Sequence, residues 1–516
     1  MRRPTLPRRM PSWGICVLLA LVPAAVYLGR AALAGMWGFP LDDAWIHQTY
    51  ARNLAVLGQW AYVPGETSGG STAPLWSLLL AAGHAVHLPP VAWASTLGCL
   101  LLGTLAWISA RWVQARGVTS AWVPWAVALS VLLEWHLDWA AFSGMETLGV
   151  ALAAVAVLWA IEAGPGRELL AGLAVGLAVW LRPDALSLML PLVLTVLLDS
   201  WRQPGAMLRR LLRIAVGIGM VFLPYLLFNR ATSGAWWPST FYAKQAEYEV
   251  ERQASLLSRA LEQGLVPLTG IGILLAPGLC LGVAQAWRAR SLRRILPLVW
   301  VAAYLGAFAL RLPVIYQHGR YAMPVIPIVL VLGWEGLSSW AELRAQVGPS
   351  RVRWIVSRAW VASAGLLLLV FDGLGSTAFV RDVAIIETEM VETAEWIRDN
   401  TPPGAHIAAH DIGALGYFGQ RPLLDLAGLV SPEVIPILRD EAALADFLQR
   451  NHADYLMTFP GWYPYLSTLG EVVYASEAPF SPEAGGENMV VYRWPSAPFA
   501  ASRAAMLYSP HSGGGR

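Results

Sequence analysis

About eleven stretches nearly free of charge constrain this chain more than any other feature. They fall at about residues 12–34, 91–110, 118–134, 148–162, 169–182, 185–200, 214–229, 264–286, 295–311, 321–338 and 357–374. Each has, or nearly has, the roughly 20 apolar residues that a helix needs to cross a bilayer. Lipid offers the backbone no hydrogen-bond partner, so such segments satisfy themselves as helices. Of 516 residues, 56% are hydrophobic and only 14% charged, a composition that suits neither a water-soluble globule nor a disordered chain. The reading is an all-α polytopic membrane protein with about eleven transmembrane helices.

The arginines orient the loops. Arg111 and Arg116, then Arg167, then Arg202 to Arg213, Arg288 to Arg294 and Arg344 to Arg358 mark one set of connections. The positive-inside trend assigns that set to the cytoplasm. The connections between them are poorer in arginine and richer in acids, aromatics, Gly and Pro, and face the other side. Arg2, Arg3, Arg8 and Arg9 hold the start of the first span in the cytoplasm. A cleavable signal peptide is the alternative, but the apolar run continues without a clear small-residue cleavage site. The alternation requires "APLWSLLLAAGHAVHL", about 73–88, to lie along the outer face as an interfacial helix rather than to span.

Residues 1–374 thus form the membrane domain, with a first outer loop over 35–90. From 375 the composition turns mixed. "ETEMVETAEWIRDN" has amphipathic helical spacing, while "HIAAHDIGALGYFG", "ADYLMTF" and "NMVVYRW" read as strands. A small extracytoplasmic α/β domain over 375–500 follows, then a disordered tail at 501–516. A net charge of +2 points to no nucleic-acid partner. Cys16, Cys99 and Cys280 sit in apolar segments without metal or disulfide spacing.

On this topology the unusual polar residues gather at one face, at the ends of spans, where ionisable groups are costly and usually functional. Asp42 and Asp43 in "GFPLDDAWIHQTYARN" come first. Asp42 after Pro40 is placed to cap a helix from Ala44 to about Leu57. A second role gives one carboxylate to the cap and the other to a cavity as general base, with His47 one turn on. Lys244, in "WWPSTFYAKQAEY", is the one lysine among 36 basic residues. A compact ammonium suits a phosphate oxygen in a tight place where a guanidinium does not fit. Arg182 and Asp184 in "WLRPDALS", Arg320 and Tyr321 in "YQHGRYAMP", and Glu146 in "FSGMETL" each admit a capping or snorkelling role alone. Together they describe a site holding an anionic head group beside a base.

The motifs "LDDAWIHQTYARNLAVLGQWAYVPGETSGGSTAPLW", "SGMET", "LRPDAL", "WWPSTFYAK", "GRYAMP" and "HDIGALGYFGQRPLLDLAGLVSPE" together resemble the GT-C superfamily of integral-membrane glycosyltransferases. The branch most resembled is the bacterial arabinofuranosyltransferase-like and protein-mannosyltransferase-like group. The motifs run in order from about residue 38 to 435. The first loop reads "GETSGGSTAPLW" where "GYT" often follows "PGE" in that family. The resemblance implies inverting transfer of a hexosyl or pentosyl group from a polyprenyl-phosphate donor. The acceptor would be a hydroxyl on a cell-envelope glycan, lipid or protein, at the extracytoplasmic face of the cytoplasmic membrane. It maps the family's acidic residue onto Asp42, favouring it as base, with Asp43 shaping the site. Lys244, Arg320 and Arg182 would clamp the phosphate and Tyr321 orient it. Trp236 and Trp237 would mark the bilayer interface or line the lipid's path. His47, Glu146, Asp184, His410 and Asp411 would support the site or meet the acceptor, with Tyr417 and Asp425 beside them. Asp42, Asp43 and Glu146 offer hard oxygens to a divalent cation, but no spacing demands one, so no obligate cofactor is expected. A flippase for lipid-linked sugars and a non-catalytic scaffold are the competing readings.

Overall fold

The computed structural model describes residues 10–162, 164–345 and 351–495. The basic lead, Arg2 to Arg9, and the tail at 501–516 lie outside the described residues. Seven helices are long and apolar enough to cross a membrane, or eight if the bent pair Leu256–Leu268 and Gly272–Arg288 forms one span. Three further apolar helices, Val123–Leu132, Thr147–Glu162 and Glu168–Val179, are shorter. The charge-free windows are therefore helical, but length supports a smaller count than the expected eleven among the described residues. The reason is local. The window 118–134 holds a helix of only ten residues, and a separate helix opens at Trp135. The helix that begins at Glu168 stops at Val179, ahead of Pro183.

Apolar side chains face outward where a soluble protein would bury them. Leu208, Leu212, Val216, Met220, Leu223 and Leu227 form an exposed stripe along Pro204–Ser233. Lipid is the solvent that suits such a face. The opposite side of that helix meets Glu168–Val179 at close range. A Cβ on Gly217 would lie 2.3 Å from the Leu169 carbonyl oxygen, and one on Gly172 would lie 2.5 Å from that of Ile214. Glycine on both helices is what lets their backbones approach.

The first loop is ordered by its own polar groups. The helix Asp42–Leu57 ends at Gly58 in the left-handed region, φ 66°. Asn53 Nδ2 then donates to the Ala61 and Tyr62 carbonyls, each at 2.9 Å, holding the hairpin of Ala61–Val63 and Glu66–Thr67. Pro74–Ala85 packs on the Asp42 helix, with His84 Nε2 2.8 Å from Gln48 Oε1. At twelve residues it is too short to cross a bilayer.

The boundary expected at 374/375 falls inside a helix. Arg351–Ile385 continues through a π turn, Ile386–Val391, into Glu392–Asn400. Beyond it lies a five-stranded sheet in the order Leu423–Asp425, Ile407–Ala409, Tyr455–Thr458, Val490–Arg493, Glu471–Ala475. The first three strands are parallel and the last two pair antiparallel. The expected strand across "HIAAHDIGALGYFG" is cut to Ile407–Ala409, because the chain turns after His410 and coils again at Leu415–Gly419. That turn meets the membrane domain. Arg52 donates to the Tyr417 carbonyl at 2.6 Å, and the Tyr62 hydroxyl donates to that of Ile412.

Candidate active site

A cavity of about 530 Å³ opens between the first loop and the helices around it. Its lining mixes charged side chains, Asp43, Glu146, Arg182, Lys244 and Arg320, with apolar and aromatic ones, Trp237, Phe241, Phe308 and Leu312.

Asp43 stands in the first turn of the Asp42 helix and turns into the cavity. Lys244, on the short helix Ser239–Glu247, brings Nζ to 3.2 Å from Asp43 Oδ2. Arg320 forms a close ion pair with the same oxygen. The Tyr321 hydroxyl accepts from Lys244 Nζ at 3.3 Å and from Arg320 Nη2 at 3.2 Å. Burial works against the ionised form of Asp43, but Lys244 and Arg320 outweigh it and hold the carboxyl well below the usual carboxylate range. Burial likewise opposes the charge on Lys244, and Asp43 overcomes it, raising the ammonium above its ordinary value. The Tyr321 ring lies 5.1 Å from the guanidinium carbons of both Arg182 and Arg320. Arg320 Nη1 is buried without a hydrogen-bond partner.

Arg182 pairs with Asp184 through two bonds of 3.0 Å, and the Tyr304 hydroxyl donates to Asp184 at 2.5 Å. Its Nε also lies 3.9 Å from Glu146. His47 sits behind, with Nδ1 3.0 Å from Ser77 Oγ and Nε2 3.7 Å from Glu146 Oε2. Burial keeps the imidazole neutral, lowering its pKa against the pull of Glu146 and Asp43.

Asp42 faces the other way. Its carboxylate accepts from the Gly413 N–H at 2.6 Å and the Ala414 N–H at 2.7 Å, in the turn of the C-terminal domain. The expectation that Asp42 caps its own helix is corrected. Leu41 is the N-cap residue and makes no side-chain bond, while Asp42 supplies an anion to the amide groups of another helix turn.

Asp411 and His410 stand outside the cavity lining. Burial and the neighbouring Asp42 push the Asp411 carboxyl up to about 8. Burial raises Asp42 as well, but two amide donors oppose it, so Asp411 is the member of the pair that holds the proton. His410 Nδ1 is 2.7 Å from the Tyr463 hydroxyl, and Nε2 is 3.6 Å from Glu247. Asp425 accepts from the N–H groups of Ala427 and Val430 and orders its own loop. Tyr417 stacks near Trp45 and lies under Arg52. Trp237 lines the cavity, whereas Trp236 is exposed.

Several contributors escaped the sequence reading. Glu247 lies three residues after Lys244 on one helix, a spacing that was legible. Arg439 donates to the carbonyls of Ala246 and Glu247, fixing the end of that helix from the C-terminal domain. His318 Nε2 lies 2.7 Å from Asp382, a pairing 64 residues apart that no local pattern announces. Among the described residues, no three His, Cys, Asp or Glu side chains converge as a metal-ligand set.

This helical membrane domain, with its first-loop carboxylate facing two cations and its C-terminal α/β domain, shares its fold with solved structures of low sequence identity. ArnT from Cupriavidus metallidurans bound to undecaprenyl phosphate superposes with a TM-score of 0.60 at 17% identity, over 93% of this chain and 98% of that one. The Archaeoglobus fulgidus oligosaccharyltransferase in its apo form gives 0.58 at 11% identity, over 86% of this chain and 69% of that one. The same oligosaccharyltransferase, AglB, in complex with an inhibitory peptide and a dolichol-phosphate gives 0.51 at 11%, with the same coverage. Residues 381–492 match a domain of unknown function, DUF8728. Among curated proteins, none matches in sequence.

Proposed function

We propose that the chain is an inverting glycosyltransferase that moves a sugar from a polyprenyl-phosphate donor to a hydroxyl of a cell-envelope glycan, lipid or protein. The observation that carries the reading is Asp43 held between Lys244 and Arg320 in a cavity that is also lined by apolar and aromatic side chains suited to a lipid. The solved structures of this fold that hold undecaprenyl phosphate or a dolichol-phosphate support the donor class.

A sugar phosphodiester already carries a good leaving group, so the protein has two tasks. It takes the proton from the incoming hydroxyl and stabilises the charge that builds on the departing phosphate. The acceptor oxygen attacks the anomeric carbon from the face opposite the phosphate, the carbon–oxygen bond to phosphate breaks, and polyprenyl phosphate leaves. Lys244 and Arg320 take the phosphate oxygens, and the unpartnered Arg320 Nη1 supplies a further donor. The phosphate competes with Asp43 for its two cations. Once they turn to the phosphate, the Asp43 carboxyl loses what holds its pKa down and becomes a better base. Asp43 therefore takes the role of base in this scheme. Asp42 holds the C-terminal domain against the site, Tyr321 orients the cations, and Arg182 stands by through its Asp184 and Tyr304 partners. The reaction belongs at the extracytoplasmic face of the cytoplasmic membrane, with the C-terminal domain on that side.

The test incubates purified protein with polyprenyl-phosphate sugars and follows release of polyprenyl phosphate, comparing wild type with Asp43→Asn and Lys244→Ala. Release that survives intact in Asp43→Asn removes the mechanism. Movement of lipid across vesicles without release makes the chain a flippase, and neither activity leaves a scaffold. Labelling a cysteine placed near Gly65 from the cytoplasmic side would reverse the topology.

A further inference from the structure

The geometry points to Glu146 as the sugar-reading group of the cavity: a carboxylate that accepts from donor hydroxyls or an ammonium of the transferred sugar. This rests on the transferase reading above and adds a substrate class to it, a neutral or amino sugar rather than a uronate.

The warrant is a mismatch between burial and bonding. Glu146 is 4% exposed and lines the cavity, yet its Oε2 has no hydrogen-bond partner. The two basic groups within 4 Å do not complete it. His47 Nε2 stands at 3.7 Å, beyond hydrogen-bond reach, and burial keeps that ring neutral. Arg182 Nε stands at 3.9 Å from Oε1 and spends its donors on Asp184 at 3.0 Å. A buried carboxylate oxygen without a donor is expensive to keep. An O–H or N–H group arriving in the cavity completes it, as none of the described side chains does.

Two more orphans share the same space. Arg320 Nη1 and Thr240 Oγ1 are also buried without partners and belong to residues lining the cavity. The three differ in what they ask of a ligand. Arg320 offers a donor, which suits a phosphate oxygen. Thr240 offers both donor and acceptor. Glu146, when ionised, only accepts, so an anion cannot satisfy it and a polyol can. A sugar phosphate carries both kinds of group, hydroxyls at one end and the anion at the other. A carboxylate on the sugar would meet Glu146 as a like charge, which is costly where water is excluded.

Binding separates the sugar from the phosphate. Wild type and Glu146→Gln are titrated with bare polyprenyl phosphate and with polyprenyl phosphates carrying mannose, arabinofuranose or glucuronate. For wild type the expectation is that at least one neutral glycosyl lipid binds about tenfold more tightly than the bare phosphate, and the glucuronyl lipid does not. In Glu146→Gln that increment shrinks to about twofold or less, while affinity for bare polyprenyl phosphate is unchanged. An increment retained in the variant overturns the assignment, as does equal loss for bare and glycosylated lipid, or a preference for the uronate. Wild type that binds all four lipids equally overturns the assignment alone, whereas wild type that binds none of them overturns the transferase reading itself, which distinguishes the two failures.

Discussion

Lys244 Nζ lies 3.2 Å from Asp43 Oδ2, so the one lysine of the chain pairs with a carboxylate 201 residues away. The ammonium sits on a short helix whose end is tied to the C-terminal domain by Arg439 and by His410 through Glu247. It is a fixed charge, already facing the cavity before any phosphate arrives. Lys244→Ala should lower kcat/KM about 10²-fold, the scale for removing one preorganised donor from a charged transition state. Lys244→Arg should restore little, because a planar guanidinium needs a different approach to the same oxygen. Steady-state release of polyprenyl phosphate checks both.

Asp42 and Asp43 are adjacent and face different partners, which makes them separable. Asp43→Asn should cut kcat by about 10²–10⁴-fold, the range for loss of a general base. Asp42→Asn should leave more activity and lower Tm, because it weakens an anion held by the N–H groups of Gly413 and Ala414. Gly413→Ala should act like Asp42→Asn or worse, since its Cβ would stand 2.0 Å from the Asp42 carbonyl oxygen. Thermal melts and turnover measured on the same preparations decide it. Activity lost in Asp42→Asn at an unchanged Tm would exchange the roles of the two aspartates.

The seam between the domains should also respond to pH. The Asp411 carboxyl is pushed up to about 8 in the folded protein, and an unfolded aspartate titrates near 4. The folded state therefore holds a proton that the unfolded chain releases across that window. Stability from this group is present in full below about pH 4 and is lost as pH rises toward 8. Asp42, Asp43 and Glu247 reinforce the effect by favouring the protonated form, and His410 opposes it. Asp411→Asn should flatten the decline of Tm between pH 5 and 8. A wild-type Tm that climbs steadily over that interval would rule this out.

The helical membrane domain was legible because charge-poor windows and arginine-rich loops are statements about solvent, and solvent acts on each segment alone. Lys244 was legible for a compositional reason, and Arg320 and Tyr321 through the "GRYAMP" motif. The division of labour between Asp42 and Asp43 was not. Neighbours on a helix point about 100° apart, and which one meets the cavity depends on where the 410–414 turn docks. The expected strands in "ADYLMTF" and "NMVVYRW" are present, and only the strand expected before them was over-read, for the same reason. "HIAAHDIGALGYFG" has strand-like residues throughout, but after His410 its amide groups bend round to serve Asp42. The expected eleven spans exceed the seven or eight helices of spanning length among the described residues, because apolarity marks a segment without saying where proline or a break ends its helix.

His318 lies in a turn of positive-φ residues two positions before Arg320. Gln317, His318 and Gly319 all have positive φ, at 55°, 58° and 69°. For the two residues with a side chain this costs about 1–3 kcal/mol each, so something must hold them there. His318 Nε2 is bonded to Asp382 at 2.7 Å, and its ring lies 5.4 Å and 5.2 Å from those of Trp135 and Trp139. Trp139 Nε1 donates to the same Asp382 oxygen at 3.0 Å. Arg320 follows two residues later, and its guanidinium reaches Asp43 from the turn so fixed. Asp382→Asn weakens the clamp without touching the cavity, and should raise the KM for the donor several-fold while kcat falls less than it does in Asp43→Asn. Gln317→Gly relieves strain at the neighbouring position and should recover part of the loss in the double variant. A donor KM unaffected by Asp382→Asn would mean that the turn holds its shape without the clamp, and that Arg320 is positioned by Asp43 and Tyr321 alone.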